Sequence, residues 1–340
     1  MKVVFEKGIL HFILYTLHFL LFTLPSTEGA FMDTGLSARG AALGGAYASL
    51  TGSSDLIYYN PAGLKGVRNP SVSFYYHKPF SGLSNVNMNT GAFSFAMPVY
   101  TKGVLGLGYT QFSAGDDEAK LYQEASFSAA LSYDFSTGFA AGAALKNLSH
   151  EYFPDDRTMS LGDPAFDSSW EGSALTADAG INARLSRTLN FGLAFQNFIK
   201  ANVGIYDKDI VPSILRIALN FTAGKATLAV GYDIRNQDWG KKTTTSVGGE
   251  WRLSGSLSMR AGYNNDETTF GFGLNTKIFG EDVFSFNYGY SIPSDIGGGV
   301  VSHRLGVSLK RGEAKEKPEP EKADKKEDYW KKPGEEIEIK

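Results

Sequence analysis

From residue 70 to residue 310 the chain places an apolar side chain at every second position, over and over. Leu189, Phe191, Leu193 and Phe195 alternate with Asn190, Gly192, Ala194 and Gln196. Phe284, Phe286, Tyr288 and Tyr290 alternate with Ser285, Asn287, Gly289 and Ser291. Successive side chains of a strand point to opposite faces, so each such segment has one greasy face and one polar face. A soluble β-sandwich or propeller would alternate too. The even strand length, the strand count and the spacing of turns favour the other solution, an all-β transmembrane antiparallel β-barrel.

Fourteen strand cores can be read: residues 72–78, 92–100, 104–112, 122–135, 139–148, 174–185, 189–198, 214–221, 226–235, 244–253, 257–263, 269–278, 283–291 and 302–310. Tight connections, such as residues 101–103 and 223–225, alternate with longer ones at 79–91, 113–121, 149–173, 199–213, 236–243, 264–268 and 292–301. Short turns on one rim and longer loops on the other are the mark of an outer-membrane barrel, with the short set periplasmic. An even strand count brings the chain back to its starting side, so both ends are expected in the periplasm. Tyr100, Phe112, Tyr122, Trp170, Trp239, Trp251 and Tyr263 fall near strand ends, where interfacial aromatic girdles are expected.

Composition is compatible with this reading. The mean hydropathy of −0.18 is that of a soluble protein, but a barrel shows lipid only half of each strand. A net charge of −3 implies no nucleic-acid partner. The absence of cysteine excludes disulfides, thiolate metal sites and a lipidated N-terminal cysteine. Residues 1–29 read as a signal peptide: Lys2 and Lys7, an apolar run from Ile9 to Leu24, Pro25, then small residues to Ala30. The competing reading, a membrane helix, fits poorly with the strands that follow. Residues 311–340 are mostly Lys, Glu, Asp and Pro and cannot bury enough apolar surface to order themselves. They read as a disordered periplasmic tail, either a solvated spacer or a contact for a periplasmic partner.

By register, the polar face carries Lys146, Asp178, Arg184, Arg216, Asp233, Glu250, Arg252, Arg260, Lys277 and Arg304. On the lipid side such charges would cost several kcal/mol, so they are expected in the lumen. Arg216, Arg252, Arg260, Arg304, Asp178 and Glu250 are the candidate lumen charges. They form either a structural network of pairs or, for some arginines, a hold on a ligand carboxylate. Fourteen strands leave an interior that needs filling. Residues 30–69 do not alternate, are rich in small residues and suit a compact segment inside it. Gly44 and Gly45 permit a close backbone turn, and Asn60 followed by Pro61 forces one. Arg39 and Asp55 are then available to lumen charges such as Arg216, Arg260 or Arg304.

The run Gly44-Gly45-Ala46-Tyr47-Ala48, followed by Tyr58-Tyr59-Asn60-Pro61-Ala62-Gly63-Leu64, resembles the N-terminal hatch of the FadL-type outer-membrane transport superfamily, most closely its PorV/PorQ branch. Strand patterns such as Leu193 to Asn197, Met259 to Tyr263 and Ser302 to Leu309 are similar to that family's. The resemblance covers nearly all of the chain between signal and tail. It implies a fourteen-stranded barrel with a hatch at residues 30–69 carried by Gly44, Gly45, Asn60, Pro61 and Ala62, and a barrel at residues 70–310. It also implies a place in the bacterial outer membrane among lipid. The function implied is passage of small hydrophobic molecules with the hatch as gate. The alternative is a type IX secretion or cell-surface assembly role with protein partners. Residues 149–173 form a shorter, more acidic loop than a fatty-acid transporter of this family carries, which argues against long-chain fatty acids.

No enzyme is indicated. His77, His150 and His303 are scattered, with no carboxylate spacing for a metal or a triad. Gly106-Leu107-Gly108 lacks the third glycine and helix of a nucleotide loop. No cofactor is expected.

Overall fold

The computed structural model describes residues 30–312, apart from 32, 34, 117, 137, 154, 156–169, 238–239 and 295–298. The expected signal, Trp239 and nearly all of the tail lie outside the described residues. Fourteen antiparallel strands close into one barrel, each paired with its neighbours in sequence and β1 with β14. In order they are β1 Ser71–Ser81, β2 Asn87–Val99, β3 Gly103–Gly115, β4 Lys120–Ser136, β5 Phe139–Tyr152, β6 Glu171–Arg184, β7 Leu189–Gln196, β8 Ser213–Ala223, β9 Ala226–Gln237, β10 Gly240–Arg252, β11 Leu257–Asn264, β12 Glu267–Lys277, β13 Val283–Pro293 and β14 Val301–Lys310. No helix among the described residues is long and apolar enough to cross a membrane.

The strand count matches the alternation, but the loops differ from expectation. Several connections that read as long are ladder. β1 runs on to Ser81 and β2 begins at Asn87, so only residues 82–86 join them. Residues 265–266 join β11 to β12. The genuinely long connections are 153–170, 197–212 and 294–300, all at one end. The greasy alternation fades before the hydrogen-bonded pairing does, because a strand continuing into water still needs its ladder but no longer an apolar face.

The outward face is apolar. Leu131, Leu145, Leu175, Leu219, Leu228 and Phe270 are between 42% and 72% exposed. Trp251 and Tyr263 lie on this face as expected of a girdle. Phe112 and Tyr122 do not: both line a cavity inside the barrel. Phe112 pairs with Thr90 and Glu124, and so shares their inward parity. Tyr100 sits wholly exposed in the β2–β3 turn, with a φ of 58°.

Replacing an outward leucine by a charge near mid-strand should cost about 2–4 kcal/mol. Leu145→Arg and Leu219→Arg should each lower the unfolding free energy by that amount in denaturant titrations of the lipid-reconstituted protein, while Leu145→Ile should not.

Candidate functional site

Residues 35–68 pack against the inner faces of the strands. One short helix, α1 (Ala38–Ala42), starts at Ser37, whose hydroxyl accepts from the Gly40 N–H at 3.1 Å. Two 3-10 turns follow, Ser54–Tyr58 and Pro61–Gly66. Their core is Leu43, Tyr47, Leu56, Ile57, Tyr59 and Leu64, all 2% exposed or less.

The motif residues have defined tasks in this packing. After α1 the chain reverses through Gly44 and Gly45, at φ of 68° and 91°. That is left-handed space where glycine carries no penalty. Gly44 also presses on β11: an added Cβ would lie 2.7 Å from the Tyr263 carbonyl oxygen, and Asn264 Nδ2 donates to the Gly44 carbonyl at 2.9 Å. Asn60 is fully buried and uses every hydrogen-bonding group it has. Its Oδ1 accepts from the Ala62 N–H at 3.0 Å, while Nδ2 donates to Ala48 O at 2.8 Å and to Ile181 O of β6 at 3.0 Å. Pro61 opens the second 3-10 turn, where its missing N–H leaves no bond unmade.

The strands answer with glycine. A Cβ on Gly142 would stand 2.5 Å from Ala62 N, on Gly180 2.1 Å from Asn60 Oδ1, and on Gly192 2.3 Å from Ala48 O. On Gly248 it would stand 2.3 Å from Leu43 O, and on Gly262 2.2 Å from Gly44 N. The outward Gly249 meets nothing within 4 Å.

Charge makes the second set of contacts. Arg39 of α1 binds Glu250 through two bonds, 2.9 and 2.8 Å, and Arg260 binds the same carboxylate at 2.6 Å. Arg216 is 3% exposed and pairs with Asp33 of the N-terminal segment and with Asp233; its Nε donates to Gln196 at 2.9 Å. Arg304 pairs with Glu267 at 3.1 Å, and Lys146 with Asp178 at 2.8 Å. The structure thus brings Arg216, Arg260, Arg304, Asp178 and Glu250 into buried pairs. Arg252 stays apart: exposed at the short-turn end, it donates to Gly224 O at 3.0 Å. Lys277 pairs at the surface with Glu281, and Arg184 is exposed. Asp55 bonds Ser37 and Tyr47 within its own segment rather than a lumen arginine. Asp33, the partner of Arg216, carries no motif in the sequence.

Above the segment, at the long-loop end, lies a cavity of about 960 Å³. Ile57, Tyr58 and Tyr59 line its floor, and His77, Thr90, Phe112, Tyr122 and Glu124 stand in its wall. Phe31 reaches into this end, its N–H donating to Glu124 at 2.7 Å and its ring packing on Leu148, Val203 and Val211.

Three solved structures share this arrangement of strands. The toluene transporter TbuX of Ralstonia pickettii superposes with a TM-score of 0.60 at 12% identity, covering 84% of this chain and 100% of its own. The Pseudomonas putida toluene transporter TodX gives 0.56 at 10% identity, covering 83% and 98%. A Pseudomonas aeruginosa FadL homologue gives 0.57 at 12%, covering 83% and 98%. The fold is that of a FadL-type barrel. No family model and no curated protein matches the sequence.

Burial pushes the Asp33 carboxyl up, but Arg216 and Arg235 outweigh it and hold it down, at about 2. A carboxyl depressed on docking stabilises the docked segment above its free value of 3.8 and loses that contribution as pH falls toward 2. Proteolytic nicking within residues 30–37 should therefore rise between about pH 4 and pH 2 in the wild type. In Asp33→Asn it should be raised already at pH 7 and change little over that range. Gly248→Val should expose residues 35–68 to protease while leaving heat-modifiable gel migration of the barrel intact. Gly249→Ala should do neither.

Proposed function

We propose that this chain is a bacterial outer-membrane barrel that passes small hydrophobic molecules, with residues 30–69 as its plug and gate. The carrying observation is the 960 Å³ cavity at the long-loop end, floored by that segment and large enough for a small organic molecule. The apolar outward face supports a lipid setting. The named neighbours support the cargo class, since two of them are toluene transporters of the same fold. In this reading the short turns and both chain ends face the periplasm and the long loops face outward. Cargo enters the cavity from outside and waits on the floor made by Ile57, Tyr58 and Tyr59 until the segment shifts.

The lumen charges then serve the plug. Asp33 on Arg216 and Arg39 on Glu250 fasten it by adding a second partner to charges already paired in the wall with Asp233 and Arg260. Such pairs hold geometry more than they add stability, because burial takes back much of the Coulomb gain.

Deleting residues 30–68 removes filling but no strand. The variant should form a barrel with steady conductance in planar bilayers, where the full chain is closed. Pro61→Gly should give brief, infrequent openings, because it loosens one turn. Unchanged conductance on deletion would remove the gate. In native mass spectrometry of the detergent-extracted protein, a retained small apolar molecule is expected. A retained protein would instead favour the PorV/PorQ-like secretion role.

A further inference from the structure

One row of the cavity wall crosses five strands by direct register: Phe112 on β3, Thr90 on β2, His77 on β1, Arg304 on β14 and Gly289 on β13. Directly opposed residues on one face of a sheet stand about 5 Å apart, so these side chains are immediate neighbours. His77 is 2% exposed and Thr90 3%. No group among the described residues answers either ring nitrogen of His77 or the hydroxyl of Thr90. Leaving a buried donor or acceptor unmet is costly, and native structures rarely do it without a use. All four side chains of the row, from Phe112 to Arg304, line the 960 Å³ cavity.

We infer that His77 and Thr90 form a hydrogen-bonding subsite for the hydroxyl of a neutral hydrophobic cargo, an alcohol or a phenol, a reading that rests on the transport function proposed above. A neutral imidazole offers one donor and one acceptor, and so does a threonine hydroxyl. A ligand hydroxyl, which also donates and accepts, satisfies both. A hydrocarbon satisfies neither.

The charge around the niche points to a neutral ligand. Arg304 is the adjacent cation: Nη2 is engaged by Glu267 at 3.1 Å and Nη1 by Ser291 at 2.5 Å, while its buried Nε has no partner among the described residues. Glu267 therefore matches its charge within the wall, and what Nε still asks for is one acceptor, which the oxygen of a neutral hydroxyl supplies. Tyr75, whose ring lies 6.3 Å from that of His77, spends its hydroxyl on Gly35 O at 2.7 Å and does not compete. The remainder of the ligand has apolar ground beside the niche. Phe112 is the next residue in the row, and Met88, two positions from Thr90 on the same face, also lines the cavity. Phe112 and Met88 thus offer the ring of such a ligand apolar contact on the same stretch of wall as Thr90 and His77. A few placed polar groups in a mostly apolar pocket is the usual way a small-molecule site sets orientation.

The test compares two probes of nearly equal size, p-cresol and toluene. Binding to the full-length purified protein is measured by equilibrium dialysis, with empty micelles subtracted. The wild type should hold p-cresol about tenfold more tightly than toluene, the scale expected when a site is built to meet a hydroxyl. His77→Leu and Thr90→Val should each remove most of that preference while toluene binding stays within about twofold, and His77→Gln, which keeps a donor and an acceptor, should restore part of it. Heat-modifiable migration checks that each variant forms the barrel. Equal wild-type binding of the two probes, or variants that lose both equally, would overturn the subsite and leave hydrophobic transport standing. Binding of neither probe would overturn both.

Discussion

The ladder between β1 and β14 is the constraint on which the rest depends. It pairs Ser71 with Lys310 and continues to Lys78 with His303, closing the sheet on itself. In hydrocarbon an open edge would leave a row of unpaired N–H and C=O groups, each costing several kcal/mol, so closure is a condition of spanning at all. Closure also fixes parity. Once every strand is paired on both sides, each residue faces lipid or lumen with no freedom to choose, and the charges of β8, β10, β11 and β14 must turn inward.

Inward charges in turn need partners, and the wall supplies one to each of Lys146, Arg216, Arg260 and Arg304. Lys146 with Asp178 and Arg304 with Glu267 are settled within the barrel. Arg216 and Glu250 are each shared between the wall and residues 30–69, through Asp33 and Arg39. The same segment meets the wall sterically, because Gly142, Gly180, Gly192, Gly248 and Gly262 leave room for backbone where any side chain would collide. Electrostatics and shape therefore locate the segment twice over. Asn60 adds a third hold by tying the segment's own Ala48 and Ala62 to Ile181 of the wall.

The strand number was legible because period-two alternation is a direct imprint of a two-faced strand. Strand ends were not, since the greasy face stops at the edge of the apolar zone while the ladder runs on to Ser81, Gln237 or Pro293. Phe112 and Tyr122 were misplaced for a related reason. An aromatic near a strand end suggests a girdle, yet their even parity on β3 and β4 already puts them with Thr110 and Glu124, inside. Inward charge was readable from register, but depth was not, so Arg252 looked equivalent to Arg260 although it projects at the rim. Asp33 left no signal, because its meaning comes only from Arg216, distant in sequence and adjacent in space. The inward glycines were visible as small residues. What they are small for became apparent only with the segment lying against them.

The interior thus divides into two levels with different physics. The short-turn half is filled by residues 35–68 at backbone-to-backbone distance, and the long-loop half is open. A molecule in the upper cavity can leave downward only if the wall parts or the filling moves. Parting the wall breaks ladder hydrogen bonds whose freed groups face hydrocarbon and find no substitute. Moving the filling exchanges bonds among groups that already sit in a polar lumen, where water or another lumen side chain can take the vacated place. Asp33 on Arg216 is the contact of this kind nearest the cavity, and Asp233 remains to hold the arginine when Asp33 lets go. If the cavity carries cargo as proposed, the closed wall makes the lateral route expensive, and the charged lumen makes a shift of the filling the less costly change.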